Sequence, residues 1–381
     1  MTKILILVKN IDGGTGTFVF NLMKLKKIMN IDINLALIEY PSFRKIEKNT
    51  IDYFFSNKKY REKYEISLDL LRDLIRQIFW FKKILDRSNP DLIITVDLHC
   101  LFISQMVNFL FKKKIRVIST IHNNIKAVIK YKIPKILILP TKFIIGFFLK
   151  KTNKLVAISQ DLSDEIKNLF NLKSYPEIIY YGINKSIKGD ILINKKIYRK
   201  NIKKIITIAR LTPQKDLITL IKAFKILNDK LSFLKLKLLI LGDGVLKKKM
   251  KIFTEKIKLR EVKFLGWINN PLNFIKKADI FVLSSNWEGF SYTLIEAMAY
   301  GLPIISTNTP FGPREILDNG KYGILVPMKD PKAMADAMYE LLTNKRKYQY
   351  YSKKSLERVK YFSLDKMLRN YKKLILDLLK E

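Results

Sequence analysis

Short apolar runs of four to seven residues recur along the chain between longer stretches with helical spacing, the alternation of a parallel β-sheet covered by helices. In the first half, Ile4–Val8, Asn34–Ile38, Leu92–Val96, Arg116–Ile121, Leu155–Ile158 and Glu177–Tyr180 read as strands. Between the second and third of these, Leu68, Leu71, Ile75, Ile78, Phe79 and Ile84 recur at helical spacing, so 64–87 reads as a core-facing helix. The rhythm breaks over 184–201, a polar, Lys-rich segment that reads as a linker. It then resumes with strands at Ile205–Ala209, Leu236–Leu241, Val262–Leu265, Ile280–Leu283, Pro303–Ser306 and Gly323–Val326, alternating with helices over 217–227 and 331–342. Asp330 before Pro331 is a good helix start, because the carboxylate can accept an orphan amide and proline suits the first helical position. A final amphipathic stretch, Leu364–Leu379, reads as one more helix. The pattern predicts an α/β chain of two tandem Rossmann-like, doubly wound domains, 1–190 and 191–360, with 361–381 a C-terminal helix packing back on the first. A ligand crevice is expected between the carboxyl ends of their strands.

Composition narrows the functional classes. At 381 residues and 48% hydrophobic content, the chain can bury a core in each of two domains, which argues against disorder. Lys and Arg number 72 against 34 Asp and Glu, a net charge of +38 that first suggests nucleic acid or an anionic membrane as partner. Richness in Lys, Ile, Asn, Tyr and Phe, residues with AT-rich codons, is a competing cause. Residues 1–200 carry 37 basic and 17 acidic residues and 201–381 carry 35 and 17, so the excess is global and does not outline one nucleic-acid groove. One stretch stands apart: between Asp97 and Asp161 lie twelve Lys or Arg and no Asp or Glu. Cys100 is the only cysteine and His99 and His122 the only histidines, which excludes an intramolecular disulfide, a cysteine zinc site and a histidine-rich metal site. The apolar run at Ile4–Val8 is too short for a signal peptide, and no uncharged apolar stretch reaches the ~18 residues of a membrane span. A soluble cytoplasmic protein, with room for peripheral membrane contact, is expected.

Three segments could carry chemistry. Gly13-Gly14-Thr15-Gly16 follows the first strand and can bring backbone amides to an anion, though it lacks the dinucleotide-binding spacing and the lysine of an ATP-binding P-loop. Arg210 and Lys215 sit in the loop at the carboxyl end of a strand, where a diphosphate would lie. Downstream, Asn286-Trp287-Glu288-Gly289-Phe290-Ser291 turns into a helix bearing Glu296. Ser291 is a candidate cap, and the Gly289, Phe290 and Ser291 amides would face an anion at the helix start. Glu296, about 7 to 8 Å down the helix axis among apolar neighbours, reads as a buried carboxylate suited to vicinal hydroxyls. His99, at the start of an apolar helix, reads as structural.

The run from Glu288 to Ile305, with Glu288 and Glu296 separated by seven residues, resembles the signature of retaining glycosyltransferase family 4. Arg210 to Lys215, Leu241-Gly242-Asp243-Gly244, Phe264-Leu265-Gly266, Gly13-Gly14 and Asn319-Gly320-Lys321-Tyr322-Gly323 fall in the family's order. The resemblance implies the two-domain GT-B architecture, with an acceptor-binding first domain and a nucleotide-sugar-binding second domain. It implies that Arg210 and Lys215 bind the donor diphosphate, Glu288 the transferred sugar and Glu296 the nucleotide ribose, with His122 beside the donor sugar. Gly13, Gly14, Gly289, Phe290 and Ser291 complete the donor site, and Glu288, His122, Arg210 and Lys215 form the catalytic set. Where Gly-Leu often stands, this chain has Ser291 and Tyr292, which leaves the donor sugar open. No cofactor or metal is implied, and no Asp-x-Asp triplet is present. The implied reaction is hexosyl transfer with retention, from a UDP-sugar to a glycan or polyprenyl-linked glycan in surface polysaccharide or lipopolysaccharide synthesis. A nucleotide-sugar epimerase of the same architecture is the alternative, and a nucleic-acid binder rests on net charge alone. The acid-free stretch 98–160, which mixes lysines with large apolar groups, is expected either to rest on the anionic inner leaflet or to form a buried helix with snorkelling lysines.

Overall fold

The structure, a computed structural model, describes residues 1–39, 41, 51–56, 68–133, 137–184 and 202–380. The chain divides into two compact units, Met1–Gly182 with the C-terminal helix from Leu364, and Ile183–Ser363. Within the second unit the first and last residues are drawn together, and the Ile183 amide donates to the Phe362 carbonyl (2.9 Å). Most of the expected linker, 185–201, lies outside the described residues, as does 64–67 of the expected first long helix.

The first unit runs β1 (Lys3–Val8), α1 (Gly14–Leu22), α2 (Leu25–Met29), β2 (Asp32–Glu39), β3 (Tyr53–Ser56), α3 (Leu68–Ser88), β4 (Leu92–Val96), α4 (Asp97–Leu110), β5 (Arg116–Ile121), α5 (Ile125–Lys132), α6 (Ile138–Lys150), β6 (Lys154–Ala157), α7 (Gln160–Phe170) and β7 (Glu177–Ile178). Its strands pair in parallel in the order β3-β2-β1-β4-β5-β6-β7. Ile4–Val8 and the apolar residues of β4 are essentially unexposed, as continuous hydrophobic strands buried on both faces must be.

The second unit runs β8 (Ile202–Ile208), α8 (Leu217–Lys230), β9 (Lys235–Leu241), α9 (Lys247–Lys256), β10 (Val262–Gly266), α10 (Leu272–Lys277), β11 (Ile280–Leu283), α11 (Tyr292–Ala299), β12 (Ile304–Thr307), α12 (Pro313–Ile316), β13 (Ile324–Val326), α13 (Pro331–Thr343) and α14 (Lys345–Arg358). These strands are also parallel, in the order β10-β9-β8-β11-β12-β13. Leu220, Phe224 and Leu227 of α8 and Met334, Met338 and Leu341 of α13 are fully buried against Leu238, Ile240 and Val282 of the sheet. Asp330 caps α13 through the Ala333 amide (2.9 Å). The last helix, α15 (Leu364–Lys380), belongs to the first unit, where it packs on α1 and α2 and sets the Tyr371 ring 5.7 Å from that of Phe18.

Both sheets are doubly wound, and their strand order reverses once, between β1 and β4 in one unit and between β8 and β11 in the other. Loops leaving the carboxyl ends of such strand pairs diverge and open a crevice. The short strand β3 has no counterpart among the strands expected from sequence: four residues, three of them aromatic, carry too little alternation to register.

Candidate active site

In the second unit the two loops at the switch point are stitched together. Residues 209–211 leave β8 strapped to the end of β9, with the Ala209 amide on the Leu241 carbonyl and the Leu211 amide on the Asp243 carbonyl (both 2.9 Å). Gly242 makes this possible. At φ +129°, a Cβ there would stand 2.0 Å from the Ala209 carbonyl oxygen. The chain then turns through a 3-10 helix, Pro213–Lys215, and enters α8 at Asp216, whose φ of 40° lies in the left-handed region.

The loop leaving β11 meets this turn. Ser284 Oγ donates to the Lys215 carbonyl (2.8 Å) and the Asn286 amide to the Gln214 carbonyl (2.8 Å), while Gln214 Nε2 donates to the Trp287 carbonyl (2.9 Å). Gln214 Oε1 in turn accepts from the Arg210 guanidinium (3.2 Å). At the centre, Glu288 Oε1 takes both Lys215 Nζ (2.5 Å) and Ser285 Oγ (2.6 Å). The Lys215 and Glu288 side chains are 14% and 5% exposed, so this is a nearly buried ion pair set at the carboxyl ends of the two strands flanking the switch point. A carboxylate and an ammonium removed from water act on a ligand far more strongly than surface charges do.

Gly289, Phe290 and Ser291 are buried, and Ser291 occupies the N-cap of α11. Its side chain makes no cap bond; the hydroxyl lies against Thr293 Oγ1 (3.3 Å). The start of α11 thus presents main-chain amides and the positive end of the helix dipole without a side-chain oxygen of its own. Glu296 departs from expectation. It is half-buried, because its place on α11 turns it from the core face that holds Leu294, Ile295, Ala297 and Met298. Burial, together with the Glu296 charge, raises the Tyr300 phenol.

In the first unit, Gly13 follows β1 with φ 68° and caps α1, which begins at Gly14. A side chain there would be strained, so glycine is required by the turn itself. At the end of β5, His122 is 5% exposed and both ring nitrogens are engaged: Nδ1 with the Tyr181 hydroxyl (2.5 Å) and Nε2 with Thr120 Oγ1 (2.8 Å). Thr120 spends its proton on the Thr95 carbonyl (3.1 Å). The network therefore assigns the proton to Nε2 and makes Nδ1 the acceptor of the tyrosine O–H. Burial pushes the imidazole down to about 3, so the ring is neutral. Phe18 packs edge-on against it, centroids 4.5 Å apart.

Some of the residues that hold these positions escape sequence reading. Asp97, at the end of β4 with φ 70°, accepts the His122 amide through Oδ1 and the Asn123 side chain through Oδ2 (both 2.9 Å). Its place at the carboxyl end of a switch-point strand was the available signal. Ser285 and Gln214 gave none. Glu165 Oε1 accepts the Ile125 and Lys126 amides at the start of α5 (2.7 and 3.2 Å), and burial raises its carboxyl. His99 on α4, expected to be structural, meets Gln77 of α3 (2.8 Å).

Two doubly wound units, one carrying a buried ammonium–carboxylate pair at its switch point, define the GT-B class. Solved structures share the whole fold. Sucrose-phosphate synthase from Thermosynechococcus elongatus aligns with TM-score 0.78 at 17% identity over 100% of both chains, and Anabaena HepE in complex with UDP and glucose with TM-score 0.75 at 16% identity over 99% of this chain and 100% of that one. The profile for Glycosyltransferase Family 4 matches residues 13–186 and that for Glycosyl transferases group 1 matches residues 190–358. An uncharacterized glycosyltransferase of Methanocaldococcus jannaschii is 32% identical over 344 residues, 79% of this chain and 83% of that protein. The chain belongs to the glycosyltransferase family. The N-acetylgalactosamine-N,N'-diacetylbacillosaminyl-diphospho-undecaprenol 4-alpha-N-acetylgalactosaminyltransferase of Campylobacter jejuni is 29% identical over 245 residues, 62% of this chain and 64% of that one.

Proposed function

We propose that the protein transfers a hexosyl group, with retention, from a nucleoside diphosphate sugar to a lipid-linked glycan during surface-polysaccharide synthesis. The observation that carries this reading is the Lys215–Glu288 pair. A diphosphate arriving at the start of α11 offers Lys215 a more highly charged partner than Glu288, while Arg210 stands beside it through Gln214. Glu288, held by Ser285, then accepts from hydroxyls of the transferred sugar, and Glu296 takes the ribose. In the transfer the bond from the anomeric carbon to the diphosphate oxygen breaks. The acceptor hydroxyl oxygen bonds to the same face of that carbon, and its proton passes to the departing diphosphate. Negative charge grows on that diphosphate, and Arg210, Lys215 and the amides of 289–291 neutralise it without a metal.

His122 acts in this scheme as a neutral hydrogen-bonding group and not as a proton carrier. Contact with the donor sugar exchanges one of its two ring bonds for a sugar hydroxyl. The first unit takes the acceptor. A diphospho-undecaprenol acceptor appears in the name of the Campylobacter relative, and the acid-free stretch of this chain supports an acceptor presented at the inner face of the membrane. UDP is the expected nucleotide, since UDP accompanies Anabaena HepE. Calorimetric titration of UDP, GDP and ADP into wild type and Lys215→Ala tests the site: one nucleotide should bind, and the substitution should weaken it about tenfold or more, 1.4 kcal/mol. A folded wild type that binds none of the three overturns the reading.

A further inference from the structure

Three helices of the first unit turn large apolar side chains to solvent. In this unit α4 packs between α3 and α6. Ile75 and Phe79 of α3, Phe109 at the end of α4, and Leu139, Phe143 and Phe147 of α6 are all exposed, Leu139 and Phe143 by 78% and 77%. Contacts join them into one face. Phe79 meets the Phe111 ring (5.7 Å), and the Lys151 ammonium lies over both Phe109 (5.5 Å) and Phe147 (4.5 Å). On α6 the exposed residues recur every four positions, while Gly146, Phe148 and Leu149 face inward. The alternative of a buried helix with snorkelling lysines is thereby overturned, because the outer stripe of α6 is apolar and open.

The charge around this face is one-sided. No acid occurs from 98 to 160, and Lys142, Lys150 and Lys151 border the α6 stripe. On α3, Asp86 pairs with Lys82 and Lys113, and Asp73 with Arg76. A contiguous apolar patch of this kind calls for a partner. A second copy docked symmetrically would bring two acid-free α4–α6 stretches together, like charge against like. An anionic bilayer complements both features, taking aromatic and aliphatic side chains at the acyl boundary and ammonium groups among the headgroups. No helix among the described residues is long and apolar enough to cross a membrane, so the contact is peripheral.

We propose that this α3–α4–α6 face docks the first unit on an anionic bilayer, with α6 in the plane of the interface and Leu139, Phe143 and Phe147 inserted. The inference deepens, and rests on, the reading of a membrane-presented acceptor. The test is co-sedimentation with phosphatidylglycerol–phosphatidylcholine vesicles against phosphatidylcholine alone. The samples are wild type, a variant combining Leu139→Ser, Phe143→Ser and Phe147→Ser, and one combining Lys142→Glu, Lys150→Glu and Lys151→Glu. Phe233→Ser, an exposed apolar site in the second unit, is the control. Wild type and control should pellet with anionic vesicles, and each triple variant should partition about tenfold less while keeping the wild-type melting curve and UDP affinity. The proposal is overturned if wild type stays in the supernatant at low salt, if both triple variants pellet like wild type, or if the apolar variant instead dissociates a dimer seen by light scattering. Retained UDP binding in a vesicle-blind protein would discard the docking face and leave the donor site standing.

Discussion

The two units share one strand order and use their switch points differently. In the second, Lys215 and Glu288 pair across two loops and are nearly buried, and in the proposed transfer a more highly charged diphosphate exchanges with that pair. In the first, His122 is closed into its own domain by Tyr181, Thr120 and Phe18, and its ring is neutral. One site is built to exchange partners and the other to hold a shape. The proposed transfer would use both: a donor site that follows charge as it moves to the diphosphate, and a wall that positions without titrating.

Glu288→Gln should break this contrast most sharply. The amide keeps the shape and a hydrogen bond from Ser285 but releases Lys215. Transfer should fall about a hundred- to a thousandfold, the scale of losing one group that stabilises developing charge. UDP binding should hold or tighten, since the diphosphate no longer competes with the carboxylate for Lys215. Steady-state rates beside calorimetry check this, and a parallel loss of affinity and rate would show that Glu288 organises the whole donor loop.

His122 should respond in stability instead. Its folded value of about 3 lies below the ordinary 6.5, so the unfolded chain binds the proton more readily. The stabilising contribution is therefore complete above about pH 6.5 and is lost as pH falls toward 3, at up to about 1.4 kcal/mol per pH unit for this group. Thermal melts of wild type and His122→Gln from pH 7 to 4 should show a shallower decline in the variant. Equal slopes would mean that the ring is not closed off from protons.

How far the sequence foretells each unit follows from where the information lies. Strands such as β1 and β4 are near-continuous apolar runs, so the two doubly wound units could be read directly, while β3 is too short to signal. Arg210, Lys215 and Glu288 stood out because they lie in loops at the carboxyl ends of strands and match the family's signature. Their pairing did not, since Lys215 and Glu288 are 73 positions apart and each is bland alone. The surroundings of His122 come from residues 18, 120 and 181, three separate stretches of chain with no shared pattern. Glu296 was misplaced because apolar neighbours along a helix do not say which way the intervening side chain turns.

The smallest effect sharpens the comparison furthest. Asn124 caps α5 through the Ala127 amide (2.5 Å), two residues from His122, and Asp330 caps α13 through Ala333 (2.9 Å), far along the chain from the donor loops. Each change to Ala should cost about 1 kcal/mol in urea unfolding, the usual value of a cap. Their kinetics should differ. Asp330→Ala leaves the 210–215 and 284–291 loops intact and should keep both substrate KM values. Asn124→Ala frees the start of α5, and with it the turn that Asp97 pins through His122 and Asn123, so donor KM should rise through His122, and acceptor KM with it. If both caps cost stability alone, the turn after β5 is scaffold only, and the acceptor must be held by other loops of the first unit.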